Sequence, residues 1–129
     1  MSARARAVII AVALDVLATL VFVLIGRSSH NEDPTLTGLL VTWWPFLAAL
    51  ALGWLITLAW RRPFGPVRPG LGLWLITLVG GMLFRALSGQ GTALAFVIVA
   101  TVALGTLLIG WRGIAVFIRR RPRTRTLPA

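Results

Sequence analysis

Four long apolar stretches, 7–25, 36–60, 71–87 and 92–118, alternate with short polar breaks along the chain. Within each stretch apolar residues run on without the polar stripe that a helix on the surface of a soluble core would keep. Each also reaches the roughly 17 residues a helix needs to cross the hydrocarbon of a bilayer. The breaks hold turn-forming residues: Asn31 to Pro34 in the first, Pro63, Gly65, Pro66 and Pro69 in the second, Gly89 and Gly91 in the third. The pattern predicts an all-α polytopic membrane protein, with four transmembrane helices forming one domain over 1–118. Residues 119–129 are expected to form a basic, disordered tail. The first stretch follows Arg4 and Arg6 as a signal peptide would, but it exceeds the usual apolar core of about 7–15 residues. No small-x-small cleavage site closes it, because Ile25-Gly26-Arg27 follows. It reads as an uncleaved helix.

Composition supports the membrane class: 58% of residues are hydrophobic and the mean hydropathy is +0.91. The chain has no cysteine and one histidine, which excludes disulfide scaffolds, thiolate-bound metals and His-rich metal sites. The net charge of +10 comes from 13 basic residues, all of them arginine. Ten of the 13 fall on one side of the predicted spans: Arg4, Arg6, Arg61, Arg62, Arg68, Arg119, Arg120, Arg121, Arg123 and Arg125. The positive-inside rule therefore puts both termini and the 61–70 loop in the cytoplasm of a prokaryotic cell, with the protein multi-pass in its plasma (inner) membrane. His30, Glu32 and Asp33 then face outward. So strong a bias argues against dual-topology insertion and an antiparallel homodimer.

The basic tail is accounted for by this orientation and by anionic lipid, which attracts each nearby arginine by about 1 kcal/mol. Nucleic-acid binding is not expected, since the arginines lack interleaved aromatics or a folded platform. No nucleophile–base pair, GxSxG or GxGxxG in a strand–helix context is present, and no cofactor is implied. The protein is not expected to be an enzyme. Trp43 and Trp44 at the outer end, and Trp60, Trp74 and Trp111 at the inner, fit interfacial belts, whereas Trp54 lies deeper and should pack between helices.

Pro45 removes a backbone hydrogen bond and predicts a bend in the second span. From it Pro45, Ala49, Gly53 and Thr57 recur every four residues as a narrow ridge that allows a neighbouring helix close. Asp15 is stranded inside the first span, where a carboxylate costs roughly 2.5–3.5 kcal/mol on insertion scales. Its depth is roughly 12 Å from the cytoplasmic end at 1.5 Å per residue, and that of Arg112 on the antiparallel fourth span is roughly 9 Å. This matching depth predicts a buried Asp15–Arg112 ion pair, with the guanidinium donating in fork geometry. Three roles stay open: a lock on helix register, protonation coupling at Asp15, or an Arg112 that snorkels to phosphates. Arg85, near the outer end of the third span, is expected to pair with Glu32, Asp33 or its own helix-end carbonyls. With Arg27 and His30 these residues form a candidate outer polar cluster.

Asp15, the run from Phe22 through Ile25-Gly26-Arg27-Ser28-Ser29-His30, Pro45-Phe46, Gly53-Trp54 and Arg85 together resemble a family of small four-helix prokaryotic membrane proteins carrying a domain of unknown function. The Gly-Arg-x-Ser-His element carries most of that resemblance. It implies four helices, a plasma-membrane location and no assigned activity, and it draws Asp15, Arg27, His30 and Arg85 toward one shared polar site. In plan alone the chain is also similar to small multidrug-resistance exporters, four-helix proteins with an acid in the first span. Two functions follow as expectations. One is a small transporter or channel-like protein, oligomeric because four helices enclose little volume, working through the Asp15/Arg112 site. The other is a non-catalytic accessory or scaffold subunit of a larger membrane complex.

Overall fold

The computed structural model describes residues 1–29 and 35–120. They form four long helices, α1 (Ala3–Ser29), α2 (Leu36–Thr57), α3 (Gly70–Leu87) and α4 (Leu94–Arg119), with a 3₁₀ turn at Ala59–Arg61. Each helix packs on its neighbours in sequence and α4 returns to α1, closing a ring. All four are long and apolar enough to cross a membrane. Their outer faces carry large apolar side chains such as Leu17, Leu55, Val79 and Ile98. So continuous an apolar exterior suits hydrocarbon rather than water.

Helix ends differ from the spans read from hydropathy because caps, not apolarity, set them. The helix α1 starts four residues before the apolar stretch, where the Ser2 hydroxyl accepts a hydrogen bond from the Ala5 N–H at 3.1 Å. Thr35 caps α2 in the same way, accepting from Gly38 N–H at 3.1 Å. The α2 helix stops at Thr57 rather than at 60, because Leu58 adopts the left-handed conformation at φ 53°. For a residue with a Cβ that geometry costs on the order of 1 kcal/mol or more. It bends the chain into the 3₁₀ turn. The helix α3 closes on Gly89 at φ 80°, with Gly89 N–H donating to Ala86 and Gln90 N–H to Arg85. This double return is the Schellman arrangement, and glycine supplies its left-handed residue without a Cβ penalty. The helix α4 runs to Arg119, and tail residues 121–129 lie outside the described residues.

The ridge on α2 faces α3. A Cβ at Gly80 would lie 2.9 Å from Ala49 Cβ, one at Gly72 2.8 Å from Thr57 Cγ2, and one at Gly53 3.1 Å from Leu73 Cδ2. Glycines and small residues thus alternate across the seam, and backbone approaches backbone in the manner of small-xxx-small packing. In the half of the bundle nearer the α1–α2 and α3–α4 connections Phe22, Phe46 and Phe96 cluster, with Phe22 edge-on to Phe46 at 5.0 Å. A side chain at position 81 would run into the Phe46 ring, whereas Gly110 has open space. Gly81→Leu should therefore destabilise the bundle by about 1–3 kcal/mol through overpacking, and Gly110→Leu should change it little. Thermal unfolding of the two variants in detergent would measure the difference.

Candidate functional site

The half of the bundle that holds the α2–α3 connection is built around Asp15 and Arg112, both with 0% of their surface exposed. Arg112 Nη2 donates to Asp15 Oδ2 at 2.7 Å, and Nη1 donates to Oδ1, also at 2.7 Å. The geometry is the two-pronged fork that suits guanidinium and carboxylate. It ties α1 to α4. Each carboxylate oxygen takes a second donor: Trp54 Nε1 from α2 reaches Oδ2 at 2.9 Å, and Trp111 Nε1 from α4 reaches Oδ1 at 2.9 Å. Four N–H groups thus converge on two oxygens, with no acceptor among them for an acid proton.

Two of the three remaining guanidinium N–H groups are placed as well. Arg112 Nη1 also donates to the Leu108 carbonyl one turn back, at 3.0 Å. Arg112 Nε donates at 3.0 Å to the carbonyl of Pro63, in the connection between α2 and α3. That bond brings a third segment to the pair, and Trp54 brings a fourth. The guanidinium carbon lies 4.4 Å from the Trp111 ring centroid, within cation–π range. Arg112 does not snorkel: its hydrogen bonds run inward and it has no solvent exposure. Ala11, Ala18 and Thr19 surround Asp15 on α1 and are buried. They are small enough for the indoles to reach the carboxylate.

Three of the tryptophans assigned to belts, Trp43, Trp74 and Trp111, place their indole N–H on another helix, as does Trp54, the one expected between helices. Trp111 and Trp54 serve the carboxylate. Trp43 Nε1 donates to the buried Thr19 hydroxyl at 2.9 Å, and Trp74 Nε1 to the Thr101 carbonyl at 2.9 Å. Only Trp44 and Trp60 among the six are exposed by more than a third, at 43% and 37%. An indole buried in hydrocarbon must place its N–H somewhere, and here a nearby helix supplies the acceptor. The signal that could have revealed Trp111 was its adjacency to Arg112, but neighbours i and i+1 point about 100° apart on a helix. Only the reach of the indole brings it back to the carboxylate. Pro63 offered none, since its contribution is a backbone carbonyl.

At the other end, Arg27 Nη1 donates to the Gly38 carbonyl and the Thr42 hydroxyl, both at 3.0 Å, fastening α1 to the start of α2. Arg85 donates through Nε to the Gly91 carbonyl at 3.0 Å and through Nη1 to Gln90 Oε1 at 2.9 Å, and lies 4.3 Å over the Phe96 ring. Gly91 and Gln90 belong to the α3–α4 connection, beyond the carbonyls that end its own helix. Gln90 then donates to the Val41 carbonyl at 3.0 Å, reaching α2 from that side. His30, Glu32 and Asp33, the rest of the expected outer cluster, lie outside the described residues. Among the described residues no three His, Cys, Asp or Glu side chains come together.

A ring of four membrane-length helices held by an inward-facing acid–base pair defines a small polytopic membrane protein. By its sequence the chain belongs to the family described as protein of unknown function DUF3054, whose model matches residues 12–115. The match spans every residue of the Asp15–Trp54–Trp111–Arg112 cluster. No curated protein and no solved structure matches the chain.

Removing one partner of a buried ion pair leaves the other charge uncompensated, at about 3–5 kcal/mol. Asp15→Asn should therefore lower stability in detergent by that order. Replacing both residues, Asp15→Leu with Arg112→Met, should recover most of the loss. Trp54→Phe removes one charge-assisted donor and should cost about 1.5–3 kcal/mol. A double-mutant cycle read by unfolding midpoints would report whether pair and indole couple.

Proposed function

We propose that this protein is a non-catalytic accessory or scaffold subunit of a larger membrane complex, with Asp15 and Arg112 serving as an architectural fastening. One observation carries the reading: the Asp15 carboxylate already accepts four hydrogen bonds, two on each oxygen, from three side chains with the pair fully buried. A carboxylate that alternates between a proton and a cationic substrate needs a coordination position to open. Saturation on both oxygens favours a fixed lock. Both termini and the α2–α3 connection face the cytoplasm in this reading, in the inner membrane of a prokaryote. Its support is the sequence bias that puts ten of the 13 arginines in the segments on one side of the predicted spans. Anionic lipid lies against the basic tail and no nucleic acid is engaged.

A second reading, a small oligomeric transporter or channel-like protein, is favoured by one contact. The Pro63 carbonyl held by Arg112 is also part of the wall of a cavity at the inner end of the bundle. A shift of the 61–70 segment would thus open a path toward the pair.

The two readings separate when the protein is extracted from its own membrane in lipid nanodiscs and its assembly is weighed intact. The accessory reading expects a hetero-complex of fixed stoichiometry that survives the Asp15→Leu, Arg112→Met replacement. A homo-oligomer that carries a proton or cation flux in proteoliposomes, lost on that replacement, would overturn it in favour of transport. Orientation is tested separately, because the chain has no cysteine of its own. A membrane-impermeant maleimide should label Thr37→Cys in intact cells, and Val67→Cys only after permeabilisation.

A further inference from the structure

At the end of the bundle opposite Arg27 and Arg85, a groove of about 860 Å³ opens between the start of α1, the α2–α3 connection and the end of α4. Five arginines line it: Arg61, Arg62, Arg68, Arg119 and Arg120. Among the described residues no carboxylate side chain lines the groove to balance their charge. The protein has three carboxylate side chains, and Asp15 is occupied by Arg112. Glu32 and Asp33 belong in sequence to the segment between α1 and α2, whereas the groove is lined by α1, α4 and the α2–α3 connection. Among the described residues none of the five arginines has a carboxylate partner.

The groove is also partly pre-formed. Arg119 is stacked over the Phe64 ring at 4.4 Å, and Phe64 in turn packs edge-on against Trp111 at 5.4 Å. The loop reverses so tightly that a Cβ at Gly65 would run into the Arg68 carbonyl oxygen. Arg62 and Arg68 are thereby carried on one short turn, at the rim of the same hollow. The remaining lining is apolar, with Ala7, Pro63, Pro66 and Val116 beside the arginines. Basic side chains around an apolar wall, at the level where a four-span bundle meets the headgroups, match the two halves of a phospholipid. A soluble anion would have no use for the apolar part.

We propose that this groove binds the phosphate headgroup of an anionic phospholipid, held by the Arg62 and Arg68 loop on one side and by Arg119 and Arg120 on the other. The site is distinct from the basic tail and goes beyond the accessory-subunit reading, since it stands whether or not a partner protein is found. Bidentate guanidinium donation suits phosphate oxygens, and five such groups around one hollow favour a headgroup with more than one phosphate.

The full-length protein, delipidated and placed in phosphatidylcholine nanodiscs, is titrated with cardiolipin, and retained lipid is counted by native mass spectrometry. Arg62→Gln with Arg68→Gln should raise the half-saturating cardiolipin fraction on the order of tenfold or more. Arg123→Gln with Arg125→Gln, in the tail, should shift it far less. Unchanged unfolding midpoints verify that the variants are folded. Equal shifts for the two pairs would mean diffuse attraction and would overturn the site, as would no shift for the loop pair. Titration with inorganic phosphate forms the second arm. Displacement of cardiolipin by millimolar phosphate, with the loop pair lowering phosphate affinity instead, would assign the groove to a soluble anion and reject the lipid.

Discussion

A carboxylate in the hydrocarbon layer must be surrounded by donors, and those donors must arrive from somewhere. In this bundle they arrive from three side chains, Trp54, Trp111 and the two prongs of Arg112. Arg112 in turn needs acceptors for its other N–H groups and takes the carbonyls of Leu108 and Pro63. One buried charge thus recruits α1, α2, α4 and the segment leading into α3. In a medium with no water to replace a lost contact, satisfying each group in turn fixes how all four elements are seated. Hydrophobic burial could not do this alone, because lipid tails are as apolar as the helix surfaces they would exclude.

The two halves of the bundle use different means. At the end with the α2–α3 connection a buried ion pair is central. At the other, three phenylalanines fill the space between α1, α2 and α4, and Arg85 lies over one of them. Between α2 and α3 the seam is drawn close by glycines and small residues. It is made of absences of side chain, with Gly72 against Thr57 and Gly80 against Ala49, so that dispersion between backbones does the holding.

Much of this was legible in the sequence. The existence of four helices, the close-packing face of α2 and the depth match of Asp15 with Arg112 all follow from hydropathy, small-residue spacing and a constant rise per residue. What escaped has a shared physical cause. The end of α2 at Thr57 depends on a left-handed Leu58, which no turn residue announces. The indole contacts depend on which way a long, flat side chain swings from its helix, and two positions with the same hydropathy can swing opposite ways. The Pro63 carbonyl is invisible to any residue-type argument, since every residue has one. Thus the charged atoms of the site were readable, and the neutral donors and acceptors that complete it were not.

The order in which the chain is made gives the ion pair a further meaning. Asp15 leaves the ribosome before its ionic partner, which follows 97 residues later. Trp54, 39 residues on, is the first of its donors to exist. Until α4 is made, α1 therefore carries an acid without its ionic partner. The fourth helix closes onto the first, and a chain cut short before Arg112 leaves that acid to be met by a proton or by lipid instead.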